Sequence, residues 1–355
     1  MTTLYVGSTE AFCGKSAVSI GIGLAAKDRG RTVGYMKPIS VAAGERSTAE
    51  ADEDAAMAVG ILGMKEDLGT VAPIALSYVE LEQMLGGQMR TDYQQVLLDA
   101  YGRVAAGKDL VVVEGSGTLS EGYTIGLPAE VVTSLLGAKA LMVVPYGQHF
   151  MVDEVLFAQK VLGERMLGVV LNRVPRHYMR FAEETLRPHL ERRGVRVYGV
   201  LPQERLLQAV SVREIAERLD GEILCAEEAA GQLVENLMVG AMGIDSALSY
   251  FRRLPNKAVI TGGDRPDVQL AALETSTRCV ILTGNLRPSP LILSRAEELG
   301  VPMVLVKNDT LTTVEEIGAF FGRTRFRQPR KIERMRELMT ERFDIEGLFR
   351  DLGMS

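Results

Sequence analysis

Six short runs, at residues 4–6, 33–36, 110–113, 140–144, 167–171 and 197–201, are almost wholly apolar, and most are separated by stretches with helical spacing. A strand with one wet face alternates apolar and polar residues. A strand that is apolar throughout needs cover on both faces, which a parallel sheet flanked by helices provides. The pattern therefore predicts a doubly wound, mostly parallel α/β domain over residues 1–206, closing near 203–206. Residues 207–250 then read as a mostly helical connector, with Val212, Ile215, Ala216 and Leu219 at helical spacing and a second run near 233–242. A second alternation follows, with strands at 258–261, 280–282 and 303–306 and helices near 268–273, 291–299 and 314–321, and it predicts a smaller α/β domain over 251–322. The remainder, 323–355, carries Arg323, Arg325, Arg327, Arg330, Lys331, Arg334 and Arg336 and reads as a solvated basic helical tail. A length of 355 residues suits two domains on a prior of about 150 residues each.

The first apolar run leads into Gly7-Ser8-Thr9-Glu10-Ala11-Phe12-Cys13-Gly14-Lys15-Ser16, followed by a helix whose Ala17, Ile20, Ile22, Leu24 and Ala25 are apolar. A strand that turns sharply into a helix aims free backbone N–H groups and the positive end of the helix dipole at one point, which suits a polyphosphate. Gly14 admits the phosphates to the backbone, Lys15 supplies a point charge, and Ser16 offers a hydroxyl to Mg²⁺. The loop thus reads as a P-loop, with Thr9, Glu10, Cys13, Gly14, Lys15, Ser16 and Ala17 as its nucleotide-binding residues. Thr9 stands where the full pattern has glycine. Cys13 reads as a small loop-filling residue.

Charge narrows the partners. A net charge of -6 argues against general nucleic-acid binding, because counterion release needs a basic face. No apolar run approaches the roughly 18 residues of a membrane span, and the N-terminus lacks the pattern of an export signal, so a cytoplasmic protein is expected. The three cysteines, Cys13, Cys225 and Cys279, are scattered and odd in number, which indicates neither a disulfide framework nor a zinc knuckle.

Further candidates stand at the carboxyl ends of the predicted strands, the edge at which open parallel sheets bind ligands. Lys37 follows the second run and is stiffened by Pro38, which suits a phosphate or substrate role. The acidic run Glu50, Asp52, Glu53 and Asp54 precedes an apolar helix; acids there serve the helix dipole, and Asp54 is the one expected to reach a phosphate-bound Mg²⁺. Glu114 ends the third run and is followed by Gly115, the Walker-B arrangement that holds a carboxylate by the metal or its water shell. Asn172 ends the fifth run, and its amide can both donate to and accept from an adenine edge, with Pro202 and Gln203 closing the base pocket. The expected metal set is Ser16, Asp54 and Glu114.

In this order and spacing, Gly-Ser-Thr-Glu with Gly-Lys-Ser, then Lys-Pro-Ile-Ser, Val-Glu-Gly and Leu-Asn-Arg-Val, resemble the dethiobiotin synthetase group of P-loop ATPases over about residues 1–205. The resemblance implies ATP and Mg²⁺ as cofactors, phosphate, metal and base roles for Lys15, Ser16, Lys37, Asp54, Glu114 and Asn172, and a homodimer. Residues 73–86 and 118–125 do not resemble that family's substrate-binding segments, which argues against biotin synthesis.

Downstream, Val259-Ile260-Thr261-Gly262-Gly263-Asp264-Arg265-Pro266 and Leu282-Thr283-Gly284-Asn285 are similar to the DRTGG domain, with Asn285 in place of the second glycine of the usual pair. Gly262, Gly263, Asp264, Arg265, Thr283, Gly284 and Asn285 are the candidates for a second ligand, with backbone N–H groups at two strand ends and Arg265 or Arg287 forking onto an anion. The two likenesses together resemble the N-terminal regulatory half of long bacterial phosphotransacetylases, without the acetyltransferase domain, so phosphotransacetylase activity is not expected. Two readings stay open. One is a nucleotide-sensing regulatory protein that acts on a metabolic enzyme or on a second small ligand. The other is an ATP-dependent enzyme that activates a carboxylate as an acyl phosphate, with Lys15 and Lys37 as catalytic residues.

Overall fold

The computed structural model describes residues 1–41, 52–87, 91–147, 151–321 and 328–354. The chain divides into two compact units, Met1–Gln203 with Phe326–Ser355, and Glu204–Arg325.

In the first unit the six apolar runs become β1 (Thr2–Ser8), β2 (Val33–Met36), β5 (Leu110–Glu114), β6 (Lys139–Pro145), β7 (Met166–Val174) and β8 (Arg196–Pro202), with a small ladder of β3 (Ile39–Val41) on β4 (Ile74–Leu76) beside them. They form one sheet in the order β2-β5-β1-β6-β7-β8, parallel at every pairing. The chain moves outward from β1 in both directions, so this is a doubly wound α/β sheet, and the order reverses at β1. Its strands are buried on both faces, as in the run Leu110–Glu114, where every residue is buried. Tyr5, Met36, Val113, Met142 and Leu171 belong to one core with Leu97 and Val104 of the helix Tyr93–Ala105 and Val155 of the helix Met151–Leu162.

The expected basic tail differs from that reading. The arginines Arg323, Arg325 and Arg327 lie outside the described residues, but the helix Pro329–Arg342 packs on helix α1 (Lys15–Lys27) as part of the first unit. Met335, Leu338 and Met339 are buried, and Met339 and Met335 lie where a side chain on Gly21 of α1 would stand. Apolar residues at helical spacing outweigh the charges between them, and these find partners: Arg336 pairs with Asp28 at 2.8 Å and Arg334 with Glu337 at 2.6 Å. Beyond it Phe343 bridges Gly199 of β8, and Arg196 pairs with Asp344 and Asp351.

The second unit holds β9 (Val210–Ser211), β10 (Glu222–Cys225), β11 (Leu233–Val234), β12 (Asn236–Val239), β13 (Lys257–Gly262), β14 (Thr277–Thr283) and β15 (Met303–Leu305). Its main sheet runs β10-β15-β14-β13-β12, parallel except for β10 on β15, and β9 pairs with β11. The segment expected as a helical connector, 207–250, therefore supplies two strands of this sheet and the small ladder as well as the helices Val212–Arg218 and Ile244–Phe251. The run near 233–242 that reads as helix is β11 and β12: Asn236 to Val239 pair in register with Lys257 to Ile260, and a neighbouring strand outweighs weak local helix preference. Among the described residues, no helix is long and apolar enough to cross a membrane.

Candidate functional site

The loop between β1 and α1 is built at the point where the strand order reverses. Gly14 caps α1 with a left-handed φ of 95°, and no side chain caps the helix. A side chain at Gly14 would also meet the Asn172 amide nitrogen at 2.5 Å, so geometry and space both demand glycine. The first N–H groups of α1 are thus left for a ligand, as an anion site requires.

Lys15 turns back into the loop, where its Nζ donates to Ser8 Oγ at 2.9 Å, and it is only 7% exposed. Ser8 Oγ in turn lies within hydrogen-bond reach of the carbonyls of Glu10 (2.8 Å) and Gly117 (3.0 Å). The ammonium is held at the loop without a carboxylate partner in this contact.

Glu114 reaches the same place from β5. Its register partner on β1 is Val6, two residues before the strand's last residue, Ser8. It is 2% exposed, and it accepts hydrogen bonds from Ser16 Oγ to Oε1 and from the Tyr35 hydroxyl to Oε2, each at 2.8 Å. Burial raises its pKa, and Asp54 adds to the rise, against the pull of Lys37 and Lys15. Burial outweighs the hydroxyls and ammonium groups around this carboxylate, and a cation would relieve it.

Lys37 stands beyond the end of β2, its Nζ 2.9 Å from Asp52 and 3.2 Å from Asp54. Burial works against its charge, but Glu114, Asp54 and Asp52 together hold its pKa above the ordinary lysine value. Asp52 is buried; it caps helix α2 (Glu53–Leu62) by accepting the Ala55 N–H and also accepts from Ser40. Burial alone would raise its pKa, yet Lys37, Ser40 and the Ala55 N–H bring it below the usual value. Glu50 of the acidic run lies outside the described residues.

The structure thus brings Lys15, Ser16, Glu114, Lys37 and Asp54 into one electrostatic neighbourhood. Thr9, Glu10, Cys13 and Ala17 belong to the same turn and helix start, Glu10 exposed and Cys13 buried. Asn172 also braces the loop: its Nδ2 donates to the Cys13 carbonyl at 2.7 Å and its Oδ1 accepts the Arg173 N–H at 2.9 Å, which leaves one N–H and one lone pair of the amide for a base edge. Pro202 closes β8 opposite Val174. One participant escapes the sequence reading, Tyr35, an apolar-run residue whose hydroxyl reaches Glu114; Asp52 reads in sequence only as helix-dipole chemistry, which does not foretell its ion pair with Lys37.

The donors fit magnesium. Ser16 Oγ, the Glu114 carboxylate and the Asp54 carboxylate are hard oxygens, and among the described residues no three His, Cys, Asp or Glu side chains gather into a cage of their own. Such a set suits an ion that arrives with phosphates and keeps part of its water.

At the second unit's carboxyl edge the expected residues do assemble, and most of their polar groups already have partners within the fold. Arg265 does not stand free to fork onto an anion: its guanidinium donates to the carbonyls of Gly240 (2.8 Å) and Met242 (2.7 Å). A side chain on Gly263 would stand 1.7 Å from the Leu286 carbonyl oxygen. Gly284 N–H bonds Asn308 and Asn285 N–H bonds Val306, with Asn285 in a left-handed turn at φ 54°. Thr283 meets Thr310 at 2.8 Å, Gln269 donates to the carbonyls of Gly262 and Gly263, and Asp264 is exposed. The physical reason is local: strand-end carbonyls buried under the turn need donors, and Arg265 and Gln269 supply them.

Comparison with known proteins agrees with this division. A family model described as an AAA domain matches residues 2–211, and the DRTGG domain model matches residues 214–320. The phosphate acetyltransferases of Pseudomonas aeruginosa and Nitratidesulfovibrio vulgaris are each 25% identical to the chain, aligned over 99% and 97% of it but over 52% and 51% of their own lengths. The chain spans about half the length of the curated relatives it matches. Among solved structures, the CBS and DRTGG regulatory region of Clostridium perfringens pyrophosphatase, complexed with diadenosine tetraphosphate, is 24% identical over 32% of this chain and 47% of its own, with a TM-score of 0.29. The MinC:MinD complex of Aquifex aeolicus is 16% identical over 58% of this chain and 84% of that one, with a TM-score of 0.35. With a P-loop domain followed by a DRTGG domain, related to the N-terminal half of phosphate acetyltransferases, the chain belongs to the AAA domain family AAA_26.

Proposed function

We propose that the first unit binds ATP with Mg²⁺ and that the chain is a regulatory, nucleotide-sensing protein related to the N-terminal part of phosphotransacetylase. The observation that carries this reading is the meeting of Lys15 and Ser16, at the uncapped start of α1, with the buried Glu114 carboxylate. Lys15 steadies the terminal phosphates, the α1 N–H groups bind their oxygens, and Ser16, Glu114 and Asp54 hold the metal. Magnesium supplies charge neutralisation between phosphates and these carboxylates. Lys37 leaves Asp52 and Asp54 to meet phosphate charge. Thr9, Glu10, Cys13, Gly14 and Ala17 line the loop, Asn172 fixes its shape, and Pro202 borders the base. Nucleotide occupancy then biases the second unit, whose carboxyl edge, at the turns 262–265 and 283–285, offers the exposed Asp264 to a second small ligand while Arg265 stays with its carbonyls, and a metabolic enzyme reads the outcome, in a cytoplasmic homodimer. A ligand shifts such an equilibrium only through its differential affinity for the two states.

The test is the thermal unfolding of the full chain with and without ATP and Mg²⁺. At a hundredfold excess over Kd the wild type gains about 2.7 kcal/mol, and Lys15→Ala abolishes the gain; an undiminished gain in the variant places the nucleotide elsewhere. ADP release at about 1 s⁻¹ that depends on an added carboxylate or amine would replace the sensor with a catalyst.

A further inference from the structure

The Glu114 carboxylate is gripped on both oxygens, by hydroxyls that differ in what they are free to do. Ser16, half-buried at the helix start, donates to Oε1; Tyr35, fully buried on β2, donates to Oε2, both at 2.8 Å. A metal that recruits Ser16 Oγ takes away the donor on Oε1. That exchange leaves the Tyr35 bond to Oε2 in place and changes the charge on the carboxylate that its hydroxyl meets. Tyr35 is fully buried on β2, in register with Val112 of β5, so close packing holds its hydroxyl in one position whichever partner Oε1 has. A carboxylate bonded on one oxygen by a rigid donor cannot rotate about its last torsion, and partners behind a ligand set the ligand's orientation and affinity.

We infer that Tyr35 is a positioning residue for the metal: its hydroxyl pins Glu114 Oε2 and so presents Oε1, the oxygen now shared with Ser16, to the magnesium that accompanies the nucleotide. The inference rests on the nucleotide-site reading above. It assigns the tyrosine a role beyond filling the core, since phenylalanine would fill the same space.

Tyr35→Phe removes the hydroxyl and keeps the ring. Magnesium is titrated against the ATP-induced rise in melting temperature of the full-length chain. The variant requires about tenfold more Mg²⁺ for half of its rise, the range found when such supporting bonds are cut. A merely structural role lowers the melting temperature of the free protein and leaves that midpoint where it was. Because Ser16 and Tyr35 act on one carboxylate, Ser16→Ala and the double variant complete a cycle in which the midpoint shifts are not additive. A second readout needs no variant to fold: in wild-type protein labelled at the tyrosine ring carbon that bears oxygen, Mg²⁺ added to the ATP complex moves the Tyr35 signal. A Tyr35→Phe curve that superimposes on a magnesium-dependent wild-type curve, or a Tyr35 signal that stays in place, overturns the proposal alone. A wild-type protein that shows no rise with ATP at any magnesium concentration overturns the site reading and the Tyr35 role together.

Discussion

Both units end their parallel strands in glycine-bearing turns, and the two edges use them in opposite ways. In the first, Gly14 opens an uncapped helix, Lys15 and Ser16 face a buried carboxylate, and opposite charges crowd one another. In the second, Gly263 is squeezed under the Leu286 carbonyl, and Arg265 and Gln269 are consumed by strand-end carbonyls. One edge stores unspent electrostatics, which is what a charged ligand exploits. The other spends most of its donors on the fold and leaves the Asp264 carboxylate exposed. The lesson is that a glycine-rich turn after a strand identifies an edge, while the partners of its charged side chains decide whether that edge is open to a ligand.

The comparison breaks most readily at Gly263. Gly263→Ala puts a carbon at 1.7 Å from a backbone oxygen, and a cost of about 3 kcal/mol is expected from forcing the turn apart. Denaturant unfolding measures it, and a loss below about 0.5 kcal/mol would show the turn to be pliant and the contrast between the edges overstated. The ATP response of the first unit should survive this change.

Asp52 sharpens the other side. It holds Lys37, Ser40 and the start of α2 together, so Asp52→Ala should cost about 2 kcal/mol, from a lost cap and a half-broken buried ion pair. Its carboxyl titrates below the ordinary aspartate value in the folded chain. The contribution is therefore complete above the unfolded value near 4 and fades as pH falls through the lowered folded value. A wild-type minus variant difference that does not narrow in acid would reject Asp52 as the partner of Lys37.

The smallest effect concerns Lys257, a fully buried lysine on β13 whose Nζ donates to Thr275 Oγ1 (2.9 Å) and to the Ser276 carbonyl (3.1 Å), over the Phe251 ring. Burial pushes its pKa down to about 8. The folded chain then gives up this proton before the unfolded chain does, so stability rises with pH between about 8 and the unfolded value of about 10.4. Lys257→Met should be more stable than wild type by about 1–2 kcal/mol at pH 7, with the advantage shrinking across that window. An advantage that is constant with pH would mean that the lysine charge is not what is relieved.

Much of the architecture was legible because apolar runs report burial directly. All six runs of the first unit became strands of one parallel sheet, and Gly14-Lys15-Ser16 and Glu114 announced the edge where charge collects. The loop residues and the acid at a strand end are legible because strand-to-helix turns place them by chain geometry. Short strands were harder. Asn236 to Val239 carry too few residues to separate strand from helix by period, and only the neighbour β13 decides. The arginine-rich terminus read as solvated because charge density is conspicuous in sequence, while the seam of Met335, Leu338 and Met339 beneath it becomes decisive only against α1.

What the amino-acid sequence determined by itself was the class of fold, the position of the phosphate loop and the two-part organisation, since each follows from burial period and backbone chemistry within one stretch of chain. Tertiary structure alone decided which partner each polar group found. Tyr35 took Glu114, Asp52 took Lys37, Asn172 took the Cys13 carbonyl and Arg265 took two carbonyls just beyond β12. A hydrogen bond is settled by a few tenths of an ångström between groups distant in sequence, and no local pattern encodes such a distance.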